Sequence, residues 1–207
     1  MSSPIEAVVL DLGGVVCRFV PDRRLRALAR LTGAPASDIH AALWASGLDA
    51  RAEAGDLDHD EVYAAVLARL GGGKRGSGVS PGDLRAAWAA AFEPDEEVLA
   101  LVRSLDRPVA LFSNNGPITE DCLRRELAAV GDAFDLVLLS WRLGATKPAS
   151  DAFVKATSQV GVAASAVLFV DDSITNVRAA AHAGWIAHPY RGLARLRRLF
   201  EAHELLR

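Results

Sequence analysis

Asp11, Ser113, Lys147 and the adjacent pair Asp171-Asp172 are the residues of this chain whose types could do joint chemistry. Three carboxylates, a hydroxyl and an amine suit a phosphate. Mg2+ takes few carboxylates and keeps water and substrate oxygens as its other ligands. A hydroxyl and backbone N–H groups can hold phosphate oxygens, and a lysine can neutralise their charge. An aspartate can also serve as a nucleophile and carry the phosphoryl group. Two adjacent aspartates after "VLFV" repel one another unless a cation lies between them.

The elements that must position these residues are short apolar runs. "AVVLDL" (7–12), "PVALFSN" (108–114), "FDLVLLS" (134–140), "AVLFVDD" (166–172) and "WIAHPY" (185–190) read as strands. The first four are nearly continuous apolar, which fits strands covered on both faces of a parallel sheet. From the second strand onward the intervals hold helical patterns, such as "EDCLRRELAAVG" and "SDAFVKATSQVG", the latter stopped by Gly161. This rhythm implies an α/β fold with a doubly wound, Rossmann-like parallel sheet. Ligands of such sheets bind beyond the carboxyl ends of the strands. Asp11, Ser113 and Asp171-Asp172 all sit at such ends, and Lys147 follows the third strand.

The interval between the first two strands is too long for one crossover. It contains amphipathic patterns at "DRRLRALARLTG", "SDIHAALWASG", "DHDEVYAAVLARLGG" and "DLRAAWAAAF", with Ser37 and Asp58 at expected N-cap positions. These imply an all-α cap subdomain over residues 18–92, inserted into a core formed by 1–17 and 93–207. Within it, "GGGKRGSGVSPGD" (71–83) has the composition of a flexible loop. "GLARLRRLFEAHELLR" reads as a terminal amphipathic helix.

A net charge of −3, from 23 Lys+Arg against 26 Asp+Glu, carries no basic excess for nucleic acid or an anionic membrane. No apolar run approaches a bilayer span, and the N-terminus lacks a secretory pattern. Cys17 and Cys122 have no metal-ligand spacing, and Cys17 reads as a packing residue. The expectation is a cytoplasmic protein, monomeric or homodimeric, with reduced thiols.

Four motifs in order, "VVLDLGGVV", "LFSNNG", "LGATKP" and "LFVDDSITNV", with a helical insert after the first, resemble the haloacid dehalogenase (HAD) superfamily over essentially the whole chain. "ARAEAGDLDHDEVYAAV" also resembles a cap segment of small bacterial sugar-phosphate phosphatases. The resemblance implies a Mg2+-dependent phosphatase acting on a small phosphorylated metabolite. Asp11 is then nucleophile and metal ligand, and Lys147 bridges nucleophile and phosphate. Ser113 and the Asn114 amide bind phosphate. Asp172 is a direct metal ligand, Asp171 acts through water or by holding a ligand in place, and Gly13 is a ligand through its backbone carbonyl.

Gly13 departs from the pattern. Most phosphatases of the superfamily carry there an aspartate that serves as general acid and base, although the branch resembled here often reads D-L-G. Such groups contribute about 10²- to 10⁴-fold. The alternatives are a 2-haloacid dehalogenase, which would not need the metal, and a non-catalytic phosphate-binding protein. A phosphosugar mutase is disfavoured, because shuttling phosphate depends on the missing group. Glu53, Asp56, His40 and His59 are substitute proton donors within the insert. Arg18 lies near its hinge. Trp44 and Trp88 read as packing residues, Asn115 and Asn176 as turn or cap residues, and His182 and His188 as surface or packing residues.

Overall fold

The computed structural model of the chain describes residues 4–71 and 78–207. Part of the glycine-rich loop expected at 71–83 thus lies outside the described residues. Five strands form one parallel sheet: β1 (Ala7–Leu10), β4 (Val109–Ser113), β5 (Leu136–Leu139), β6 (Val167–Asp171) and β7 (Ile186–Pro189). Their order is β5-β4-β1-β6-β7, with β1 at the centre. The chain leaves β1 toward β4 and β5, then crosses to β6 and β7. The order therefore reverses at β1, which is where open α/β sheets form their ligand crevice.

Both faces of the sheet are covered, which explains the unbroken apolar runs. In β1, Val8 and Leu10 face a cluster that includes Val98, Leu101 and Phe200, while Val9 faces Phe112, Phe153, Phe169 and Trp185. These four aromatics meet mostly edge to face, with Phe153 and Trp185 centroids 5.4 Å apart at 90°. Such pairs add about 0.5–1.5 kcal/mol each beyond burial. That layer is the floor beneath the strand ends.

The helices on the sheet are α6 (Glu96–Arg103), α7 (Pro117–Leu123), α8 (Ala128–Gly131), α9 (Ser140–Leu143), α10 (Ser150–Val160), α11 (Ile174–His182) and α12 (Leu193–Ala202). Gly161 caps α10 in the left-handed conformation, as its position implies, and α12 is the expected terminal helix. The single pattern read in "EDCLRRELAAVG" instead divides between α7 and α8. At its break, the Leu127 N–H donates back to the Cys122 carbonyl.

The long interval holds α1 (Pro21–Thr32), α2 (Ala36–His40), a π-helical turn (Ala41–Ala45), α3 (Leu48–Ala54), α4 (His59–Gly71) and α5 (Pro81–Ala89). Asp58 caps α4 reciprocally with Glu61: each backbone N–H donates to the other's carboxylate. Ser37 does not cap. Pro35 takes the N-cap position and Ser37 lies inside α2, its hydroxyl turned to Asp38.

Sequence reading missed a small antiparallel ribbon. β2 (Cys17–Phe19) pairs with β3 (Phe92–Pro94) in the register Cys17↔Pro94, Arg18↔Glu93, Phe19↔Phe92. Three-residue strands are too short for a periodicity signal. The boundary expected at 17/18 and 92/93 runs through this ribbon. Among the described residues, no helix is long and apolar enough to cross a membrane.

Candidate active site

The parallel register brings three strand ends to one edge. Asp11 follows β1, Ser113 ends β4, and Asp171 ends β6. Lys147 reaches them from the segment after α9. Its Nζ donates to Asp11 Oδ1 (2.8 Å), Asp171 Oδ2 (2.7 Å) and the Phe112 carbonyl (2.7 Å). It also lies 4.9 Å from the Phe112 ring centre and 5.4 Å from that of Phe169, a cation–π setting. Desolvation alone would lower the lysine's pKa, but Asp11 and Asp171 on either side outweigh it and raise it. Burial pushes the Asp11 carboxyl up, against the pull of Lys147. One buried cation is therefore shared between two acids.

Asn114 locks that cation in place from behind. Its Nδ2 donates to the Lys147 carbonyl (2.7 Å), and its Oδ1 accepts from the Lys147 N–H (2.8 Å). The Lys147-Pro148 peptide that follows is cis. The Asn114 side chain is thus committed to backbone. What it can offer a ligand is its own backbone N–H.

Asp11, Asp171 and Asp172 form a group of carboxylates whose oxygens lie within 4.8 Å of one another. They differ in how much they have left to give. Asp171 is fully buried, and both its oxygens are occupied, by Lys147 Nζ, the Ser173 N–H and Asn176 Nδ2. Asp172 is exposed, and burial of its inner side together with Asp171 raises its pKa. A divalent cation would relieve that clustering of like charge. The donor set fits Mg2+, with Asp11 and Asp172 free to reach it directly and Asp171 better suited to act through water.

Residues 5–184 match the family model described as haloacid dehalogenase-like hydrolase. The chain belongs to that family. Of its curated relatives, a phosphatase of Mycobacterium tuberculosis is 30% identical over 89% of this chain and 86% of its own length. A D-ribitol-5-phosphate phosphatase of Bacteroides thetaiotaomicron is 29% identical over 84% and 85%. A HAD family enzyme of the same organism, solved with magnesium and inorganic phosphate, superposes with a TM-score of 0.74. That match covers 93% of this chain and 98% of the other at 22% identity, and it shows a shared fold.

Within this HAD-like hydrolase the glycine pair does two different things. Gly14 has φ +83°, and a Cβ there would lie 2.2 Å from Asp172 Oδ2. Only glycine lets the Asp172 carboxylate pass over the loop. Gly13 has ordinary backbone, and a Cβ would sit 3.4 Å from that of Phe19, a normal contact. Gly14→Ala is therefore expected to displace Asp172 and reduce metal-dependent activity by at least tenfold, with saturation requiring more Mg2+. A Mg2+ titration of initial rates checks this, and a wild-type activation curve would refute it.

Three residues that contact the candidate site had no site role in the sequence reading: Gly14, Asn115 and Asn176. Asn176 is no simple cap residue, since its amide spans both oxygens of Asp171. Its signal was a Ser173-capped helix start immediately after the acid pair. Of the other residues singled out, Cys17 and Cys122 are free and buried, and burial pushes each thiol up to about 12, too high for a nucleophile. Arg18 pairs loosely with Glu93 on the surface. His182 ends α11, and His188 pairs with Val170 in the sheet. Neither joins a metal-ligand group among the described residues.

The inserted helices meet the core at α7 and α9. Trp88 Nε1 donates to Thr119 Oγ1 (3.2 Å), and Ser140 Oγ donates to the Glu53 carbonyl (2.7 Å). Trp88 also stacks on Trp44, so its ring packs as expected while its N–H does more. Tyr63 Oη donates to Asp121 Oδ2 (2.8 Å), which His59 Nε2 also meets at 3.0 Å. Of the substitute proton donors, Glu53 is the one that burial, with Asp49 beside it, pushes up to about 8. It thus holds its proton to higher pH than an ordinary glutamate. His59 is engaged by Asp60 and Asp121 instead.

Hydrogen bonding to Asp60 and Asp121 raises the His59 pKa despite desolvation. Burial works to raise that of Asp121, but hydrogen bonds from His59 and Tyr63 outweigh it and lower it. The raised imidazole stabilises below its ordinary pKa, and that contribution is lost as pH rises through the folded value. The lowered carboxylate stabilises above its ordinary pKa, and that is lost as pH falls through the folded value. The His59–Asp121 contact is therefore strongest between about pH 4 and 6.5. Thermal unfolding of the wild type is expected to fall off above that window more steeply than that of His59→Gln. Parallel profiles would show that the pair does not titrate with folding.

Proposed function

We propose that this chain is a Mg2+-dependent phosphomonoester hydrolase acting on a small phosphorylated metabolite, with a sugar phosphate among the candidates. The observation that carries the reading is Lys147, buried and shared between Asp11 and Asp171 beside a third strand-end carboxylate. Structural ion pairs do not need a third acid or a neighbouring hydroxyl. The phosphatase relatives support the same reaction class.

In this reading the Asp11 carboxylate attacks phosphorus in line. The Asp11–phosphorus bond forms as the bond to the leaving oxygen breaks. Water then attacks the aspartyl-phosphate and releases phosphate and free Asp11. Lys147 turns one of its three donors onto a phosphoryl oxygen, while the Ser113 hydroxyl and the Asn114 N–H hold the others. Asp11, Asp172 and the Gly13 carbonyl would hold Mg2+, with Asp171 acting through water. The bound cation would offset phosphoryl charge, the main requirement of phosphoryl transfer. The helices between β2 and β3 act as the cap that excludes water.

Gly13 supplies no proton to the leaving oxygen; if that missing acid limits the rate, activity should fall steeply as leaving-group pKa rises. The local backbone accepts a side chain at this position, so Gly13→Asp is a fair test. It is expected to speed alkyl phosphates by about tenfold or more while changing aryl phosphates little. A flat dependence in the wild type would sink this account of Gly13. A metabolite panel assayed with and without Mg2+ tests the function itself. Phosphate release that stops with chelator supports it, whereas chelator-insensitive halide release from 2-haloacids, or ligand binding without turnover, would overturn it.

A further inference from the structure

We propose that Asn115 is a positioning residue that couples docking of the inserted helices to the hydrogen-bonding direction of the Ser113 hydroxyl. The proposal rests on the phosphatase reading of the site and adds a control to it.

Two hydrogen-bond chains run from the insert to Asn115. The first begins at Trp88 in α5. An indole N–H only donates, so Thr119 Oγ1 accepts at 3.2 Å. The Thr119 hydroxyl then spends its single proton on Asn115 Oδ1 at 2.8 Å. With Oδ1 turned to Thr119, the Asn115 Nδ2 donates to Ser113 Oγ at 2.9 Å. Ser113 thus accepts from the protein, and its own proton is left for a phosphoryl oxygen. The second chain begins at α3. The Glu53 carbonyl accepts from Ser140 Oγ at 2.7 Å, and Ser140 Oγ accepts from the Asn115 N–H at 3.1 Å. One chain sets which way the Asn115 amide faces, and the other fixes its backbone.

Thr119 and Ser140 are both fully enclosed, at 1% and 0% exposure, so bulk water does not readily replace a missing partner. When the insert lifts, both chains lose their far ends. The Thr119 hydroxyl is then free to turn, and the Asn115 amide no longer has a reason to keep Oδ1 toward it. With the amide reversed, Ser113 would donate to Asn115 and withdraw its proton from the ligand. Phosphate is therefore gripped fully only under a docked insert.

The test is calorimetric titration of inorganic phosphate with Mg2+ present, alongside thermal unfolding. Thr119→Val and Trp88→Phe are each expected to weaken phosphate binding by about tenfold, while Thr119→Ser retains wild-type binding. In a double-mutant cycle, Trp88→Phe and Asn115→Ala should lose less together than the sum of their separate losses. Additive losses, or equal losses in Thr119→Val and Thr119→Ser, would overturn the proposal. So would wild-type affinity in Trp88→Phe. Should Thr119→Val fail to fold, Trp88→Phe decides. Ser113→Ala separates the two levels. If it alone loses phosphate, the phosphatase site stands and the coupling fails. If wild-type protein binds no phosphate, both fail.

Discussion

Asp11→Asn leaves a folded protein that no longer turns over. The amide matches the carboxylate in shape and still accepts from Lys147, so the surroundings need not move. It cannot attack phosphorus, and the loss should span several orders of magnitude in kcat. Stability should not fall with it. Burial raises the Asp11 carboxyl in the folded state, so its ionised form costs stability above the ordinary carboxylate range. A neutral amide removes that cost, and Asp171 remains as the counter-charge of Lys147. At neutral pH in the absence of Mg2+, the variant is expected to unfold at or above the wild-type temperature. Full Mg2+-dependent activity in Asp11→Asn would remove Asp11 from the mechanism.

Lys147→Met has the opposite signature, losing stability as well as turnover. Methionine fills a similar volume but leaves Asp11 and Asp171 facing one another without their shared cation. Removing one partner of a buried ion pair costs about 3–5 kcal/mol. Without the pull of Lys147 the Asp11 carboxyl would be pushed further up, so lowering the pH toward 5 should recover part of the loss. Urea unfolding at two pH values measures this directly. A midpoint unchanged at both would mean that Lys147 is not the charge holding the strand ends together.

The strand ends were readable because the physics there is local. A parallel strand buried on both faces has no use for an acid, so Asp11 and Asp171 stand out against their own apolar runs. Lys147 was readable only as part of the set, because nothing near it in sequence explains its burial. Asn115 was hidden for a different reason. Its partners are Ser113, Thr119 and Ser140, and the role proposed for it depends on where α5 and α3 land. Gly14 was visible as a glycine, but the carboxylate it accommodates comes from residue 172. The failed cap at Ser37 shows a local limit: Pro35 is two residues upstream, and proline's fixed φ starts the helix first.

The ribbon of β2 and β3 has a mechanical meaning. The chain enters and leaves the insert side by side, joined at Cys17↔Pro94 and Phe19↔Phe92, with Phe19 and Phe92 rings 5.3 Å apart at the outer end. At the inner end, Gly13 bridges to Cys17. Two separate tethers would let the helices slide, twist and tilt. Two tethers bonded into a strap resist shear along their length and bend mainly across their plane. Helices α1 to α5 are then freer to tilt about the strap than to slide or twist, and in the proposed phosphatase that tilt would govern the size of molecule that can enter.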